Sequence, residues 1–269
     1  MAAVSIRVSH GARTDVGLKR QRNEDALLAT WPAYLVADGM GGHGNGDVAS
    51  ALVIEAMSSL AAVRKATPEQ VRRLVHDARS ALERLVSDRE RPAGTTLAGA
   101  VIVEQGGAPY WFIVNIGDSR VYRAAPDGLT QISVDHSEVQ ERLDRGELDK
   151  ESAAVYSRRN VVTRALGAGG HFEPEYWLLP LRTRDRLLIC TDGLTRDLDD
   201  ATLASILAAA PSPEVAAEVL VDAALAAGGH DNVSVIVVDV CVDGAATELD
   251  QTNPLGAHGR EAMMQEGTG

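Results

Sequence analysis

The chain has 269 residues and a formal net charge of −12, from 26 Lys and Arg against 38 Asp and Glu. This acidic balance argues against a nucleic-acid-binding protein, which needs a cationic face to neutralise phosphates. The 45% share of hydrophobic residues argues against intrinsic disorder, and two cysteines are too few for a disulfide-stabilised secreted scaffold. We therefore expect a globular protein whose excess acid serves either solubility or cation binding.

The first half of the chain predicts strands around a pair of helices. The apolar run Tyr34–Asp38 predicts a strand that ends in an acid and is followed by the glycine-rich stretch GMGGHGNG. Apolar residues at helical spacing predict helices over Asp47–Val63, with Asp47 as the N-cap, and over Pro68–Arg89. Three further strands are predicted at Thr95–Val103, Tyr110–Ile116 and Arg120–Arg123.

The second half predicts the same combination of strands and paired helices. A polar stretch over 135–159 predicts a helix and a mobile surface segment. Strands are predicted at Arg186–Cys190 and Val233–Val242, and between them Asp200–Ala210 and Pro213–Ala227 predict a second helix pair. This order differs from the βαβ alternation of a doubly wound parallel sheet and favours antiparallel sheets covered by paired helices.

One domain is predicted over 1–243, because no linker rich in Pro, Ser or Gly divides this stretch. The remaining 244–269 has few aliphatic residues and is predicted to be a disordered tail. The N-terminus lacks the apolar core of a signal peptide, and no window approaches 18 uninterrupted apolar residues. Cys190 and Cys241 lie in apolar runs, which indicates buried small side chains. We expect a cytoplasmic protein with no membrane association.

The segment Gly39–Gly44 matches the G-x-G-x-x-G pattern of dinucleotide-binding loops and lies between a predicted strand and a predicted helix. A dinucleotide site also needs a second parallel strand after one helix, with an acid at the end of that strand. Here a second helix comes next, and Glu55 lies in the middle of the first helix. We therefore expect neither a nicotinamide nor a flavin cofactor.

Acidic residues recur next to turns at the ends of the predicted strands. They are Glu24 and Asp25 in RNED, Asp38 after YLVA, Asp118 in GDSR, Asp192 in TDGL and Asp231 in GHDN. On one edge of paired sheets, two carboxylates about 4 Å apart would repel by about 4 kcal/mol at an effective dielectric constant of 20. Such a cluster is stable when it is protonated or neutralised by cations, and all-carboxylate donors favour Mg²⁺ or Mn²⁺.

With these motifs, the sequence resembles the metal-dependent protein Ser/Thr phosphatases of the PPM, or type 2C, family. The resemblance extends over about 9–243. It rests on GLKRQRNED (Gly17–Asp25), ADGMGGH (Ala37–His43), GTT (Gly94–Thr96), NIGDSR (Asn115–Arg120), DHS (Asp135–Ser137), TRALG (Thr163–Gly167), TDGL (Thr191–Leu194) and GHDNV (Gly229–Val233). The resemblance implies an α+β fold, a four-layer α-β-β-α sandwich of two mainly antiparallel sheets flanked by helix pairs.

The resemblance also implies two Mn²⁺ or Mg²⁺ ions per chain, with a weaker third. The residues implied for them are Asp38 bridging both ions, the Gly39 carbonyl, Asp192 and Asp231 on one ion, Glu24 on the other, Asp118 at the third, and Asp25 and Asn232 as supports outside the coordination sphere. The implied reaction is hydrolysis of phospho-Ser or phospho-Thr by a metal-bridged water, without a phosphoenzyme.

Arg20 lies four residues before Glu24, where the family has its phosphate-binding arginine. A guanidinium offers two parallel hydrogen bonds to phosphate oxygens, which is the chemistry this position needs. His43 is a candidate proton donor to the leaving group or a gate, although its position in the motif differs from that of the histidine with this role in other branches of the family. The alternatives are a metal-bound water as the donor and a structural role for His43 in its loop. His136 and His230 are expected to be structural.

Position 196 departs from the family pattern. Many members carry an acid four residues after the equivalent of Asp192, and this acid completes the third metal site; here Arg196 stands there, followed by Asp197. Three alternatives follow. Asp118 and Asp192 hold a loose third ion, Asp197 swings in, or Arg196 replaces the ion with its own charge.

The expected partners are phosphorylated proteins, namely Ser/Thr kinases and their substrates, and the chain is expected to be a monomer. Two alternatives stay open: a pseudophosphatase that binds phosphoproteins without hydrolysing them, and a phosphatase of small metabolites. The joint presence of Arg20, Asp38, Asp192 and Asp231 favours an active enzyme over the binding protein.

Overall fold

The computed structural model describes residues 5–41, 45–87, 93–125, 128–167 and 172–243. His43 and the stretch 244–269 lie outside these ranges. The described strands are β1 (Ser5–Asp15), β2 (Asp25–Thr30), β3 (Ala33–Gly41), β4 (Ala93–Thr95), β5 (Leu97–Gln105), β6 (Ala108–Ile116), β7 (Arg120–Ala125), β8 (Gly128–Gln131), β9 (Glu175–Pro180), β10 (Arg186–Cys190) and β11 (Val233–Asp243). The described helices are α1 (Gly46–Ser58), α2 (Pro68–Ser87), α3 (Glu138–Asp144), α4 (Lys150–Ala154), α5 (Asp192–Asp197), α6 (Asp200–Ala209) and α7 (Pro213–Ala227), with a 3₁₀ turn at Ser59–Ala62.

The strands form two sheets that stack face to face. One sheet has the order β1-β11-β10-β7-β8, and the other has the order β2-β3-β5-β6-β9, with β4 paired to β3. The strand pairs of both sheets are antiparallel. Helices α6 and α7 cover the first sheet, and α1 and α2 cover the second. The α-β-β-α sandwich expected from the resemblance is therefore confirmed.

Hydrophobic periodicity explains the layers. In α2, Val71, Val75, Ala78 and Leu82 recur every three or four residues and are fully buried against the sheet. In β11, Val235 and Val237 face α7, while the alternate residues Ile236 and Val238 face the other sheet. Since burial of each such side chain stabilises the fold by about 1.5–3 kcal/mol, these positions hold the strand ends in fixed relative places.

Some predicted boundaries were wrong. Helix α1 begins at Gly46 with Asn45 as its N-cap, so Asp47 lies in the first turn, where its carboxylate accepts from the amide of Val48. The predicted strand Thr95–Val103 is two strands that break at Thr96, because Thr96 bonds to Asp38 instead of continuing either ladder.

Of the two cysteines, Cys190 is buried as expected, but Cys241 is only half-buried. Cys241 lies near the end of β11, opposite Arg7 of the edge strand β1, and the Arg7 guanidinium contacts its sulfur at 3.6 Å. None of the described helices combines the length and the apolar character needed to cross a membrane.

Candidate active site

The register of the strands brings the acidic turns to one end of the sandwich. Asp25 at the start of β2 lies opposite Asp38 near the end of β3. In the other sheet, β10 and β11 are antiparallel, so Asp192 shortly after β10 and Asp231 shortly before β11 lie at the same end. Asp118 follows β6 in the turn to β7, whose Arg120 pairs with the last residue of β10.

The backbone of Asp38 is fixed by the break between β4 and β5. Its amide donates to Oγ1 of Thr96 at 2.9 Å. Its carbonyl oxygen accepts from the hydroxyl of Thr95 and from the amide of Thr96, each at 2.9 Å. The Thr96 hydroxyl also lies 2.7 Å from that of Ser119, which ties Asp38 to the turn that carries Asp118.

Asp25 is held from the opposite sheet by two hydroxyl groups. Its Oδ2 accepts from Thr191 Oγ1 at 2.9 Å and from Ser234 Oγ at 2.8 Å, whereas its Oδ1 is buried with no hydrogen-bond partner. Burial raises the pKa of Asp25 to about 7, although the two hydroxyl bonds act in the opposite direction. One buried carboxylate oxygen of Asp25 is thus left without a hydrogen-bond partner.

The other carboxyls of this end also hold their protons unusually tightly. Burial, followed by the charges of Asp25 and Asp192, raises the pKa of Asp38 well above its ordinary value. Burial and the charge of Asp192 raise the pKa of Asp118 to about 8. Burial and the charge of Asp231 raise the pKa of Asp192, whose Oδ1 is likewise buried without a partner. Burial and mutual repulsion therefore oppose ionisation of these carboxyls, and a bound cation would relieve both effects.

The Glu24 carboxylate and the Gly39 carbonyl oxygen lie on two sides of a small space beside Gly46, which has no side chain to fill it. The Gly39 amide donates to the Glu24 carbonyl oxygen at 3.1 Å. A Cβ added to Gly46 would lie 2.8 Å from the Gly39 carbonyl oxygen and 3.0 Å from Cδ of Glu24. Burial and the nearby Asp47 raise the pKa of Glu24. Two glycines therefore keep one carbonyl oxygen and one carboxylate within reach of a common ion.

Two arginines meet at Asp231. Arg20 Nη2 donates to Asp231 Oδ2 at 2.8 Å, and Arg196 Nη1 donates to the same oxygen at 3.2 Å. The side chain of Arg20 is 49% exposed, so part of its guanidinium faces solvent at the mouth of the cluster. This arrangement places a cationic hydrogen-bond donor at the edge of an acidic site.

Three other residues of the motifs have contacts that fix the backbone. The side chain of Asn232 bonds to three backbone groups of the connection between β1 and β2: Oδ1 accepts from the Glu24 amide at 2.9 Å, and Nδ2 donates to the carbonyls of Val16 and Arg22 at 2.9 and 2.8 Å. His136 Nδ1 accepts from the Gly117 amide at 3.1 Å. His230 Nδ1 lies 2.6 Å from Asp197 Oδ1.

The residues of this end fit divalent cations, although their side chains do not form a closed coordination sphere. In the part of the chain that the structure describes, no three His, Cys, Asp or Glu side chains are assembled as a metal cluster. Two buried carboxylate oxygens without partners, on Asp25 and Asp192, nevertheless lie among carboxyls whose pKa values are raised. A donor set made of carboxylate and carbonyl oxygens matches Mg²⁺ and Mn²⁺.

The structure thus brings together most of the residues that the sequence singled out, His43 lying outside the described ranges. The supporting hydroxyl groups of Thr96, Ser119, Thr191 and Ser234 were missed as site residues. The sequence does contain a pattern that could have identified them, because each is a Ser or Thr within one or two positions of a strand end. The hydrogen-bond partner of such a hydroxyl group, however, depends on which strand lies opposite, and residue spacing in the sequence does not determine the strand pairing.

Comparison with known proteins agrees with this site. Residues 18–227 match the family model described as "Protein phosphatase 2C". Serine/threonine phosphatase stp of Listeria innocua is 35% identical over 240 residues, which cover 84% of this chain and 94% of that protein. Serine/threonine protein phosphatase PstP of Mycobacterium tuberculosis is 38% identical over 262 residues, which cover 95% of this chain but only 48% of PstP.

A solved structure shows the same architecture. The catalytic domain of PstP in complex with two manganese ions superposes with a TM-score of 0.79 and 34% identity, covering 88% of this chain and all of that one. The family model spans most of the chain, and the relative from Listeria matches nearly throughout its own length. The chain belongs to the protein phosphatase 2C family.

Proposed function

We propose that this chain is a metal-dependent phosphatase that hydrolyses phosphoserine and phosphothreonine esters in proteins. The observation that carries the proposal is the group of carboxyls with raised pKa values at one end of the sandwich, with Arg20 exposed at its mouth. The names of the relatives, which are serine/threonine phosphatases, support the same substrate class.

The ions would be two Mn²⁺ or Mg²⁺, as the manganese complex of the PstP catalytic domain supports. We assign Asp38 to both ions, Asp192 and Asp231 to one ion, and Glu24 with the Gly39 carbonyl to the other. When bound, such ions lower the pKa of a coordinated water and stabilise negative charge on phosphoryl oxygens.

Side chains of the protein would bind the substrate, position the metal ligands and protonate the leaving group. Arg20 binds the phosphate through N–H groups not used on Asp231, and so orients the ester in front of the carboxylate cluster. Asn232 holds Glu24 in place through the Glu24 amide. Asp25, fixed by Thr191 and Ser234, keeps its second oxygen free to accept a hydrogen bond from metal-bound water. We keep His43 as the candidate proton donor to the Ser or Thr leaving group.

The proposed catalytic domain is 1–243, and phosphorylated proteins are the proposed substrates. Among these we include Ser/Thr kinases and the proteins that they phosphorylate. We propose that the domain acts as a monomer in the cytoplasm, where a chain with two cysteines in 269 residues needs no disulfide for stability.

Hydrolysis of a phosphothreonine peptide, measured with Mn²⁺ and with EDTA, tests the proposal. The wild type should be active with Mn²⁺ alone, and Asp38→Asn should lose at least about a thousandfold in rate, since the ligand shared by both ions is lost. Asp222→Asn, at an exposed position paired with Arg13, is the matched control and should keep full activity.

Two results would contradict the proposal. A wild type that binds the phosphopeptide without releasing phosphate in Mn²⁺ would be a pseudophosphatase. Hydrolysis confined to small phosphate esters, with no release from phosphopeptides, would indicate a phosphatase of metabolites.

A further inference from the structure

We propose that Arg196 is a built-in cation of the acidic cluster, whose guanidinium takes the place of a third divalent ion beside Asp118 and Asp192. The chain would then bind two divalent ions and not three. This inference rests on the proposed function, because it assumes that Mn²⁺ or Mg²⁺ binds at the remaining carboxylates.

The position of Arg196 is set by the short helix α5. This helix begins at Asp192, one residue beyond the end of β10 with Thr191 as its N-cap, and Arg196 follows four residues later on the same face. Its Nη1 reaches Oδ2 of Asp231 at 3.2 Å, and its side chain is 36% exposed. The guanidinium is therefore held against the cluster by an ion pair and is not a freely solvated charge.

Arg196 also lines a pocket of about 380 Å³ between the cluster and the segment that carries α3 and α4. The charged side chains of this pocket are Asp118, Asp135 and Asp192 against Arg120, Arg159 and Arg196. Three guanidinium groups thus line the same pocket as Asp118 and Asp192, so fixed cations already lie beside these two carboxyls.

The other acids near this pocket are already engaged. Asp135 accepts a bidentate pair from Arg120, at 2.6 Å from Nη2 and 2.9 Å from Nε. Asp197, next to Arg196, has a side chain that is only 4% exposed, and it accepts from the amide of His230 while facing the ring nitrogen of the same residue. Asp197 is thus turned away from the pocket, and among its described lining residues only Asp118 and Asp192 remain for an ion.

These contacts decide between the three alternatives left open by the sequence. Movement of Asp197 into the site would break both of its contacts with His230, and the side chain would have to leave a buried position. A loose ion on Asp118 and Asp192 would have to approach the guanidinium of Arg196. Replacement of the ion by Arg196 is the arrangement that the structure favours.

Counting bound Mn²⁺ tests the inference. Free Mn²⁺ is measured by its electron paramagnetic resonance signal during titration of the full chain as wild type, Arg196→Gln, Arg196→Asp and Arg184→Asp. Arg184 is exposed at the opposite end of β10, so its variant reproduces the charge change of Arg196→Asp away from the pocket.

We expect two ions in the wild type and in Arg184→Asp, and three in both Arg196 variants. Loss of a unit charge about 6 Å from a divalent ion changes its affinity about tenfold even at the dielectric constant of water. The Gln variant should therefore take up a third ion at Mn²⁺ concentrations at least about tenfold below any at which the wild type begins to do so, and the Asp variant at lower concentrations still.

The Gln variant separates charge from coordination. A third ion in Arg196→Asp alone would show that only a ligand is missing, and would overturn the role of the charge. Three ions in the wild type, or two in every variant with unchanged affinity, would also overturn the inference while leaving the proposed function intact. A wild type that binds no Mn²⁺ would instead refute the proposed function.

Discussion

Arg20 Nη2 and Asp231 Oδ2 lie 2.8 Å apart, although 211 positions of the chain separate the two residues. Asp231 is 13% exposed and Arg20 is 49% exposed, so the pair marks the boundary between the buried carboxyls and solvent. The pair orients the guanidinium without using all of its donors. Arg20 is therefore placed to bind a phosphate group at the mouth of the cluster.

Removal of this guanidinium should weaken substrate binding more than metal binding. For Arg20→Ala we expect the KM for a phosphothreonine peptide to rise about tenfold or more, because a charge-assisted hydrogen bond contributes about 1.5–3 kcal/mol. Steady-state kinetics with a parallel Mn²⁺ titration measures both effects. Lys19→Ala, at the exposed neighbouring position, should leave KM unchanged. An unchanged KM in Arg20→Ala would refute this role.

Asn232 should be a major contributor to the stability of the site. Its side chain makes three hydrogen bonds to backbone groups of Val16, Arg22 and Glu24. We expect Asn232→Ala to lower the free energy of unfolding by about 3 kcal/mol, at about 1 kcal/mol for each bond. Urea denaturation measures this loss. Asn160→Ala, at an exposed position, should cost less than about 0.5 kcal/mol, and equal losses in both variants would contradict the assignment.

Without metal, the fold should become less stable as the pH rises from about 4 to about 8. Unfolded carboxyls release their protons near pH 4. In the folded state the pKa of Asp25 is about 7 and that of Asp118 is about 8, so the folded state binds more protons across this range. The free energy of unfolding must then fall with rising pH.

Denaturation in EDTA at several pH values checks this sign. Asp118→Asn should reduce the slope, because it removes one of the carboxyls whose pKa is raised in the folded state, whereas Asp222→Asn on the surface should not change it. A stability that rises between pH 4 and pH 8 in EDTA would show that the carboxyls do not repel one another in the folded chain.

Much of the architecture was predictable because it rests on periodicity. The helices at Asp200–Ala209 and Pro213–Ala227 and the strand Arg186–Cys190 were predicted to within about one residue. Strand β1 was not predicted, since the polar residues of SIRVSHGARTD dominate its composition. Its alternate residues Ile6 and Val8 pack between the sheets, and this burial results from the pairing of β1 with β11, which the sequence of β1 alone does not indicate.

The site was predictable in part for the same reason. Acids at predicted strand ends can be identified from the sequence alone. In the structure, burial raises the pKa values of Asp25 and Asp38, and the carboxyl of Asp192 lies close enough for its charge to raise them further. The pairing of Arg196 with Asp231 and of Asp197 with His230 was not predictable, because adjacent residues of α5 point to different partners. The rotation of α5 about its own axis determines which partner each side chain reaches, and the motif TDGLTRD does not specify this rotation.

The dependence of the carboxylate cluster on divalent cations is measured by the thermal unfolding midpoint at pH 8 in EDTA and in Mn²⁺, for the wild type and Asp38→Asn. We expect Mn²⁺ at a hundred times its Kd to stabilise the wild type by about 2.7 kcal/mol. In EDTA, Asp38→Asn should unfold at a higher temperature than the wild type, because it removes a carboxyl whose ionisation is opposed by burial and by its neighbours in the folded state, and it should gain much less from Mn²⁺. A wild-type midpoint that Mn²⁺ does not raise, together with an Asp38→Asn midpoint below that of the wild type in EDTA, would contradict a carboxylate cluster that requires divalent cations.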